Sequence, residues 1–367
     1  MSMKRVRSRL LGASLVLGAI VAITPFTAQS ADFSGQRVEL VVASSEGSGT
    51  DAFARIFQPF LERHLPGNPT VVVANRPGGS GLVASNWFDR NANDDGTTLI
   101  VTGGSLPVTY LFAGDDKVKF DMVAWNPVVV APFGTCYQAR EELGVTGEDP
   151  VADVTALREA GDLKFGAKNA TSSEVLAFMT FDFLGVDVAP VFGLESGESR
   201  QAIQRGELNL NQDSSVKCIS EREPLAERGI KVFMTSGLAD PDGNIVRDPL
   251  FPNMPHPGEV YEALNGAAPS GSQWEAIKYL INAKLINKGM FLPANASEDV
   301  RQTYDVAMEA IFADPEFQEM TVEEFAGYAQ AFGTDAKKVV RNAVGMPQET
   351  KTWLLDWINT NLKAGGA

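Results

Sequence analysis

The sequence predicts an α/β protein, and two observations lead to that fold class. First, residues 38–42, 71–73 and 99–101 are short apolar runs without polar alternation, as in strands buried on both faces of a parallel sheet. Second, the first two runs each end in a glycine-rich turn, at 44–51 and 75–81, and each turn opens a helical stretch. Because loops at the carboxyl ends of parallel strands form the usual ligand crevice, we expect a binding site at these turns.

The first turn combines glycines with hydroxyl side chains at the start of a helix. Helix N-termini attract anions through their free N–H groups and partial positive charge, and hydroxyls can donate to a carboxylate. A simple turn capped by Thr50 or Asp51 is the alternative. Glu46 is either a solvated carboxylate or a cleft residue, which would pair with a ligand amine or require a protonated or less charged ligand. The candidate ligand contacts here are Ser44, Ser45, Glu46, Ser48, Gly49 and Thr50.

The rest of the chain continues the alternation of strands and helices without repeating the sequence. A strand at 126–130, followed by Pro132, leads out of the first unit. Further strands are expected at 163–167, 188–192, 208–211, 230–234 and 289–292. Further helices are expected at 154–160 with Asp153 as N-cap, 174–184, 200–205, 272–285, 298–313 with Ser297 as N-cap, and 350–362. This order indicates a second α/β unit followed by a largely helical C-terminal part.

The first thirty residues have the pattern of a signal peptide. Four basic side chains precede an apolar run at 10–23, and the small residues at 27–31 predict cleavage after Ser30 or Ala31. A membrane anchor is the alternative, but the run is shorter than the roughly 20 residues that a spanning helix needs. We therefore expect an exported protein without its leader.

The charge excludes some classes of partner. Without the leader the chain has 27 basic and 46 acidic residues, a formal charge of −19. Such a surface argues against nucleic acids and anionic membranes as partners, although backbone amides at a helix end can still bind an anion locally. The mature length of about 335 residues predicts two domains.

Cys136 and Cys218 are the only cysteines. In an oxidising compartment such a pair indicates one disulfide, and a buried free pair is the alternative. The only histidines, His64 and His256, lie far in sequence from both cysteines, so no metal site is expected. No cofactor is predicted either.

Several motifs occur in an order that resembles a known family. They are Gly49-Thr50-Asp51, Asn75-Arg76-Pro77-Gly78-Gly79-Ser80-Gly81, Asp95-Gly96-Thr97-Thr98-Leu99, Phe291-Leu292-Pro293-Ala294, and Ala313-Asp314-Pro315-Glu316-Phe317. The set is similar to the periplasmic substrate-binding proteins of tripartite tricarboxylate transporters, the Bug family. One departure is the first loop, which in that family reads Pro-Phe-x-Pro-Gly-Gly and here reads Ala43-Ser44-Ser45-Glu46-Gly47-Ser48.

The resemblance implies a two-lobed Venus flytrap in which each lobe is a mostly parallel sheet flanked by helices. Lobe one would comprise residues 31–130 and 245–367, and lobe two residues 131–244. The family's members are periplasmic binding proteins rather than enzymes, and they pass a small organic carboxylate to membrane transporter subunits. We expect this protein to do the same as a monomer.

The resemblance also implies ligand contacts in lobe two, where backbone N–H groups and hydroxyls hold carboxylates. These candidates are Asn169, Thr171, Ser172, Ser173, Glu195, Ser196 and Asp213. Capping is the alternative for Ser172, Ser173 and Asp213.

Two other functions share some of these features. A periplasmic receptor that feeds a sensor system would have the same fold and cleft, and the sequence does not distinguish it from a transport protein. An exported hydrolase is disfavoured, because the chain has no Gly-x-Ser-x-Gly motif.

Overall fold

The computed structural model describes residues 30–112, 116–240 and 243–362. The expected leader, residues 1–30, lies outside the described residues except for Ser30. Across the three described ranges, no helix has both the length and the apolar character needed to cross a membrane.

Strands and helices alternate through most of the chain. The strands are β1 (Arg37–Val42), β2 (Thr70–Asn75), β3 (Thr98–Gly103), β4 (Asn126–Ala131), β5 (Thr135–Arg140), β6 (Lys164–Ala167), β7 (Ala189–Phe192), β8 (Leu210–Ser214), β9 (Ile230–Thr235), β10 (Leu238–Ala239), β11 (Ile245–Val246), β12 (Lys288–Leu292) and β13 (Ala331–Phe332). The helices are α1 (Gly49–His64), α2 (Leu82–Asn91), α3 (Ser105–Phe112), α4 (Pro150–Glu159), α5 (Val175–Phe183), α6 (Ser196–Arg205), α7 (Ser215–Ser220), α8 (Arg222–Glu227), α9 (Pro257–Asn265), α10 (Ser272–Asn282), α11 (Glu298–Ala313), α12 (Pro315–Phe325), α13 (Gly333–Val344) and α14 (Gln348–Asn361). Short 3₁₀ turns lie at Gly79–Gly81, Glu141–Leu143 and Ala283–Ile286.

The first sheet has the strand order β13-β4-β12-β3-β1-β2. Strand β1 is parallel to β2 and β3, as the apolar runs predict. Strand β12 enters from the C-terminal part of the chain and is antiparallel to both β3 and β4. The carboxyl ends of β1 and β3 therefore lie at one edge, where the first glycine-rich turn begins.

The second sheet has the order β7-β6-β8-β5-β9. Strand β6 is parallel to β7 and β8, whereas β5 is antiparallel to β8 and β9. The predicted α/β class is confirmed, but both sheets are mixed rather than mostly parallel. Parallel pairing joins β1 to β2 and β3, and β6 to β7 and β8. Strands β12 and β5 are antiparallel to both of their neighbours.

Most predicted elements form, some with shifted ends, and α11 has the expected bounds. The N-cap predicted at Asp153 is wrong: the helix begins at Pro150, a residue suited to the first helical position, and Asp149 caps it. Asp153 is buried and accepts the backbone N–H of Thr146 at 2.7 Å. It therefore anchors the preceding connector instead of capping the helix.

The two cysteines are paired as a disulfide between β5 and α7. The Cα atoms of Cys136 and Cys218 lie 6.6 Å apart, and 82 positions separate them in sequence. The bond joins α7 to a strand inside the second sheet.

Helices from the C-terminal part pack against a helix of the second α/β unit. Helix α10 lies against α5, α13 and α14. The Phe183 ring stacks on Tyr261 at 4.4 Å and on Trp274 at 5.6 Å. The Asp182 carboxylate accepts the indole N–H of Trp357 at 2.8 Å. One apolar cluster consequently extends from the first sheet through these helices to the second sheet.

Candidate ligand-binding cleft

The turn between β1 and α1 is organised around a buried carboxylate. Ser48 is the N-cap of α1, and its hydroxyl accepts the N–H of Asp51 at 3.3 Å. The Asp51 carboxylate in turn accepts the N–H of Gly47 at 2.9 Å and the amide of Asn75 at 3.0 Å. Ser48, rather than Thr50 or Asp51, therefore caps the helix.

Asp51 is also paired with a cation. The Arg55 Nε lies 2.9 Å from its carboxylate. Burial by itself would raise the pKa of Asp51, but the hydrogen bonds from Arg55, Gly47 and Asn75 outweigh it and hold the pKa below its ordinary value. Asp51 is thus an ionised support of the turn, and its oxygens are already bonded to protein donors.

Glu46 stands on the outer part of the same turn. Its side chain is 82% exposed, and Oε1 lies 3.6 Å from Arg55 Nη2. Exposed ion pairs contribute little to stability, because water and salt screen them. The structure gives Glu46 the environment of a solvated carboxylate beside Arg55, and its contact with a ligand stays a prediction.

Two hydroxyls of the turn lie over the carboxyl end of β3. A Cβ on Gly103 would be 2.5 Å from Thr50 Oγ1 and 3.9 Å from Ser44 Oγ. Gly49 is exposed beside them, as is the side chain of Ser45. The structure therefore brings together three of the candidate residues, Ser44, Gly49 and Thr50. Facing them, Gly103 leaves the end of β3 free of a side chain.

The second glycine-rich turn connects this region to the other sheet. Asn75 donates to the Ser44 carbonyl oxygen at 3.0 Å, which fixes the two turns to each other. At the tip, Ser80 has φ of +54°, and its hydroxyl accepts the side-chain amide of Asn169 at 3.4 Å. Loops that follow strands of different sheets therefore meet at this point.

The loop at 169–173 is shaped by its own side chains. Asn169 Oδ1 accepts the N–H of Thr171 at 2.9 Å and its hydroxyl at 3.1 Å. Ser172 is buried, and its hydroxyl lies 2.8 Å from the Asn169 carbonyl oxygen and also contacts the Glu174 carboxylate. Ser172 supports the loop from inside, whereas Thr171 and Ser173 are partly exposed.

Beneath this loop lies a buried lysine that the sequence analysis did not identify. Lys284, in the 3₁₀ turn after α10, is 3% exposed. Burial lowers the pKa of Lys284 to about 8, and the negative charge of Glu174 offsets only part of that effect. Glu174 therefore contacts the loop through Ser172 and interacts electrostatically with a cation from the C-terminal part of the chain.

The acidic candidates of the second sheet are already paired. Asp213 accepts from Arg200 Nε at 2.5 Å, and Glu195 lies 2.5 Å from Lys168 Nζ. Ser196 is the first residue of α6 and is exposed. These pairs hold the neighbouring loops, and ligand contact by the three residues stays a prediction. Among the described residues, no group of three or more His, Cys, Asp or Glu side chains is placed to hold a metal ion.

A second buried carboxylate lies where the chain passes from one sheet to the other. Asp248 accepts the Ser215 hydroxyl at 2.5 Å and the Tyr328 hydroxyl at 2.7 Å. Burial and the neighbouring Asp248 charge raise the pKa of Tyr328 well above its ordinary value. A Cβ on Gly134 would collide with this carboxylate. Asp248 thus links Ser215, within the second α/β unit, to Tyr328, in the part of the chain that follows it.

A cation that the sequence analysis missed stands beside the first turn. Lys288 begins β12, between Gly103 of β3 and Ala131 of β4. Its Nζ lies 3.7 Å from the position that a Cβ on Gly49 would take, and 5.9 Å from the centre of the Phe133 ring. The insertion of β12 between β3 and β4 is what brings this residue to the turn.

Comparison with known proteins identifies this architecture. No family model matches the chain. A UPF0065 protein of Bordetella bronchiseptica is 31% identical over 133 residues, which are 35% of this chain and 38% of the relative. The match therefore spans less than two fifths of that relative's length.

Solved structures match over nearly the whole chain. R. palustris Rpa4515 with adipate has a TM-score of 0.63 and 18% identity, and covers 90% of this chain and 98% of its own. MatC from Rhodopseudomonas palustris with bound malate has a TM-score of 0.59 and 17% identity, with coverages of 88% and 99%. A TctC solute-binding protein from Polaromonas has a TM-score of 0.58 and 17% identity, with coverages of 88% and 98%.

The chain has the TctC solute-binding-protein fold. The resemblance predicted from the loop motifs is confirmed at this level, and so is the two-lobed fold class. In this TctC fold the β1–α1 turn and the loop at 169–173 follow strands of different sheets, which is the arrangement that a cleft between two lobes requires.

Proposed function

We propose that this chain is an exported solute-binding protein, which captures a small organic carboxylate between two lobes and delivers it to a tripartite tricarboxylate-type membrane transporter. The lobes are residues 31–130 with 245–367, and residues 131–244. The protein works in the periplasm as a monomer after loss of residues 1–30. It needs no cofactor and carries out no chemical step.

The observation that carries the proposal is the meeting of the two sets of loops. The Ser80 hydroxyl and the Asn169 amide lie 3.4 Å apart, and the hydroxyl of Thr109, in the neighbouring helix α3, lies 3.4 Å from the Thr171 carbonyl oxygen. Two structural neighbours, Rpa4515 and MatC, hold adipate and malate, both dicarboxylates. A small acid between these loops would be within reach of donors from both sheets.

The binding interactions follow from the polar groups available. On the first side they are the free N–H groups of α1 and the hydroxyls of Ser44 and Thr50. On the second side they are the loop amides and the partly exposed Thr171 and Ser173. A ligand that bonds to both sides favours the closed arrangement, since it binds that arrangement more tightly than the open one.

Thermal unfolding of the leaderless protein tests the proposal. We would compare succinate, malate, adipate, citrate, benzoate and glutamate, with adipamide as the uncharged control. Ligand at a hundred times its Kd adds about 2.7 kcal/mol of stability, which for domains of this size raises Tm by roughly 5–10 °C. A folded protein that none of these acids stabilises would contradict the proposed function.

Delivery to a transporter needs a separate measurement. Cells that lack this protein should lose uptake of the radiolabelled acid that binds best. Unchanged uptake, combined with tight binding of that acid, would contradict the transport role and favour a periplasmic receptor for a sensor system.

A further inference from the structure

Arg76 is a cation that the fold partly removes from water without giving it an acid partner. Its guanidinium carbon lies 3.9 Å from the centre of the Trp87 ring. Its Nε is buried and has no hydrogen-bond partner, and no described residue forms an ion pair with it. Buried polar groups almost always have a partner, and a cation taken from water most of all. An unpaired guanidinium therefore indicates an acceptor that comes from outside the chain.

The direction of the side chain explains why the fold supplies no acid. Asn75, one residue earlier, donates to the Asp51 carboxylate of α1. Arg76 continues the strand, because its N–H donates to the Val42 carbonyl oxygen at 2.8 Å. Successive side chains of a strand point to opposite faces, so Arg76 projects away from Asp51 and lies against Trp87 of α2.

The turn that carries Arg76 borders the predicted cleft. Ser80, in the same turn, accepts the side-chain amide of Asn169 at 3.4 Å. Helix α3 packs against this turn and also contacts the second loop, since the Thr109 hydroxyl lies 3.4 Å from the Thr171 carbonyl oxygen. Arg76 is thus part of the segment of the first sheet that meets the loop of the second sheet.

The same turn lies along the end of β1. A Cβ on Gly81 would be 3.6 Å from the Ala43 Cβ, and the Asn75 amide donates to the Ser44 carbonyl oxygen at 3.0 Å. Ser44 is a predicted contact of a ligand carboxylate, and Arg76 stands in the neighbouring turn. A ligand with a carboxylate at each end could therefore contact both turns at once.

The guanidinium suits this task. Its planar fork of N–H donors matches the two oxygens of a carboxylate, and an arginine readily stacks on an aromatic ring. Because the Nε of Arg76 is covered by the protein, the N–H groups of the two Nη atoms are the ones left for an acid. Contact with the Trp87 ring holds the fork in one orientation, so less side-chain freedom is lost when an acid binds.

We propose that Arg76 binds the second carboxylate of a dicarboxylate ligand, whose first carboxylate is bound by the β1–α1 turn and the loop at 169–173. This inference rests on the proposed function and deepens it, because it names dicarboxylates as the substrate class. Arg76 distinguishes a dicarboxylate from its monoamide, which has the same shape and one charge fewer.

Isothermal titration of the leaderless protein with succinate, malate and adipate, and with the monoamides of these acids, tests the assignment. Arg76→Met keeps an apolar side chain of similar length on the indole and removes the charge. Arg63→Met is the matched control, because Arg63 also lies over an aromatic ring, 5.1 Å from the centre of Phe60, but pairs with Asp314 near the end of α1.

The unmodified protein should prefer the dicarboxylate that binds best over its monoamide by about tenfold or more, because hydrogen bonds between charged groups are strong. Arg76→Met should bind that dicarboxylate about tenfold more weakly and should lose the preference, a change that a purely structural role would not produce. Arg76→Lys, which keeps the charge without the fork, should lie between them. Arg63→Met should bind within about twofold of the unmodified protein. If Arg76→Met lowers Tm strongly, Arg76→Gln replaces it in the same comparison.

Two kinds of result would overturn the inference, and they are distinguishable. If Arg76→Met or Arg76→Gln binds the dicarboxylate as well as the unmodified protein does, or if the unmodified protein binds only other acids of the thermal panel, the proposed function stands and the role of Arg76 is wrong. If the unmodified protein binds no acid of the panel, the proposed function fails and the assignment of Arg76 fails with it.

Discussion

The buried Lys284 makes the stability of the protein depend on pH in a way that one substitution should remove. Its pKa is about 8 in the folded protein, against an ordinary value of 10.5. Between these values the unfolded chain binds more protons than the folded one, so the free energy of unfolding rises with pH. Below pH 8 both states are protonated, and the cost of burying the charge is constant.

The size of the effect follows from the shift. One pKa unit corresponds to 1.36 kcal/mol, so the change from 10.5 to about 8 gives about 3 kcal/mol between pH 8 and pH 10.5. Lys284 is 3% exposed, so solvent screening reduces this figure little. The nearby Glu174 favours the charged form, and its contribution is already contained in the shifted pKa.

The assay is urea unfolding of the leaderless protein at several pH values between 7 and 10.5, with and without Lys284→Met. Other lysines and tyrosines titrate in this range in both proteins, so the informative quantity is the difference between the two curves. We expect the stability of the unmodified protein to gain about 3 kcal/mol relative to the variant as the pH rises. If the two curves of unfolding free energy against pH are parallel, the lowered pKa of Lys284 is wrong.

Three further predictions concern the disulfide, the segment between the sheets and the second loop. The intact mass of the protein should be two hydrogens below the mass of its reduced form, and a full reduced mass would contradict the disulfide. Because 82 positions separate Cys136 from Cys218, reduction should lower the free energy of unfolding by up to about 4–5 kcal/mol. Tyr328→Phe removes a donor to the buried Asp248 carboxylate and should cost about 2–3 kcal/mol in urea unfolding, whereas an unchanged midpoint would show that this bond contributes nothing. Asn169→Ala should weaken adipate binding by about tenfold, measured by titration with Tm as the folding control, and unchanged affinity would remove the 169–173 loop from the site.

The sequence predicted the first unit well, because its signals are local. Uninterrupted apolar runs and glycine-rich turns define β1, β2 and β3, and the start of α2 follows directly from its turn. Ser48 was missed as the N-cap of α1, since three neighbouring residues could all cap a helix. The structure decides among them through Asp51, whose carboxylate turns back under the loop.

The charged residues around the cleft could not be predicted in the same way. Lys288 and Lys284 lie more than 180 positions after the first turn, and Asp248 lies in a loop rich in Pro, Asp and Asn. Their roles depend on β12 inserting antiparallel between β3 and β4, and no local pattern reports that pairing. The isolated lysine before the predicted strand at 289–292 was the only signal for Lys288.

The described contacts between the two sheets differ in strength from one side of the molecule to the other. At the end of α5, the Phe183 ring stacks on both Tyr261 and Trp274, and Asp182 accepts from both Gln273 and Trp357. Burying an aromatic side chain contributes about 1.5–3 kcal/mol, so separating α5 from α9 and α10 would cost several kcal/mol.

At the predicted cleft, the contacts described above are hydrogen bonds of 3.4 Å, one from Asn169 to Ser80 and one from Thr109 of α3 to Thr171. Bonds of this length are weak and exchange readily with water. An opening motion is therefore expected to part these loops and to pivot on the packing of α5 against α10. The predicted limits of lobe one assign α10 to the opposite side from α5, so this helix pair would serve as the pivot between the lobes.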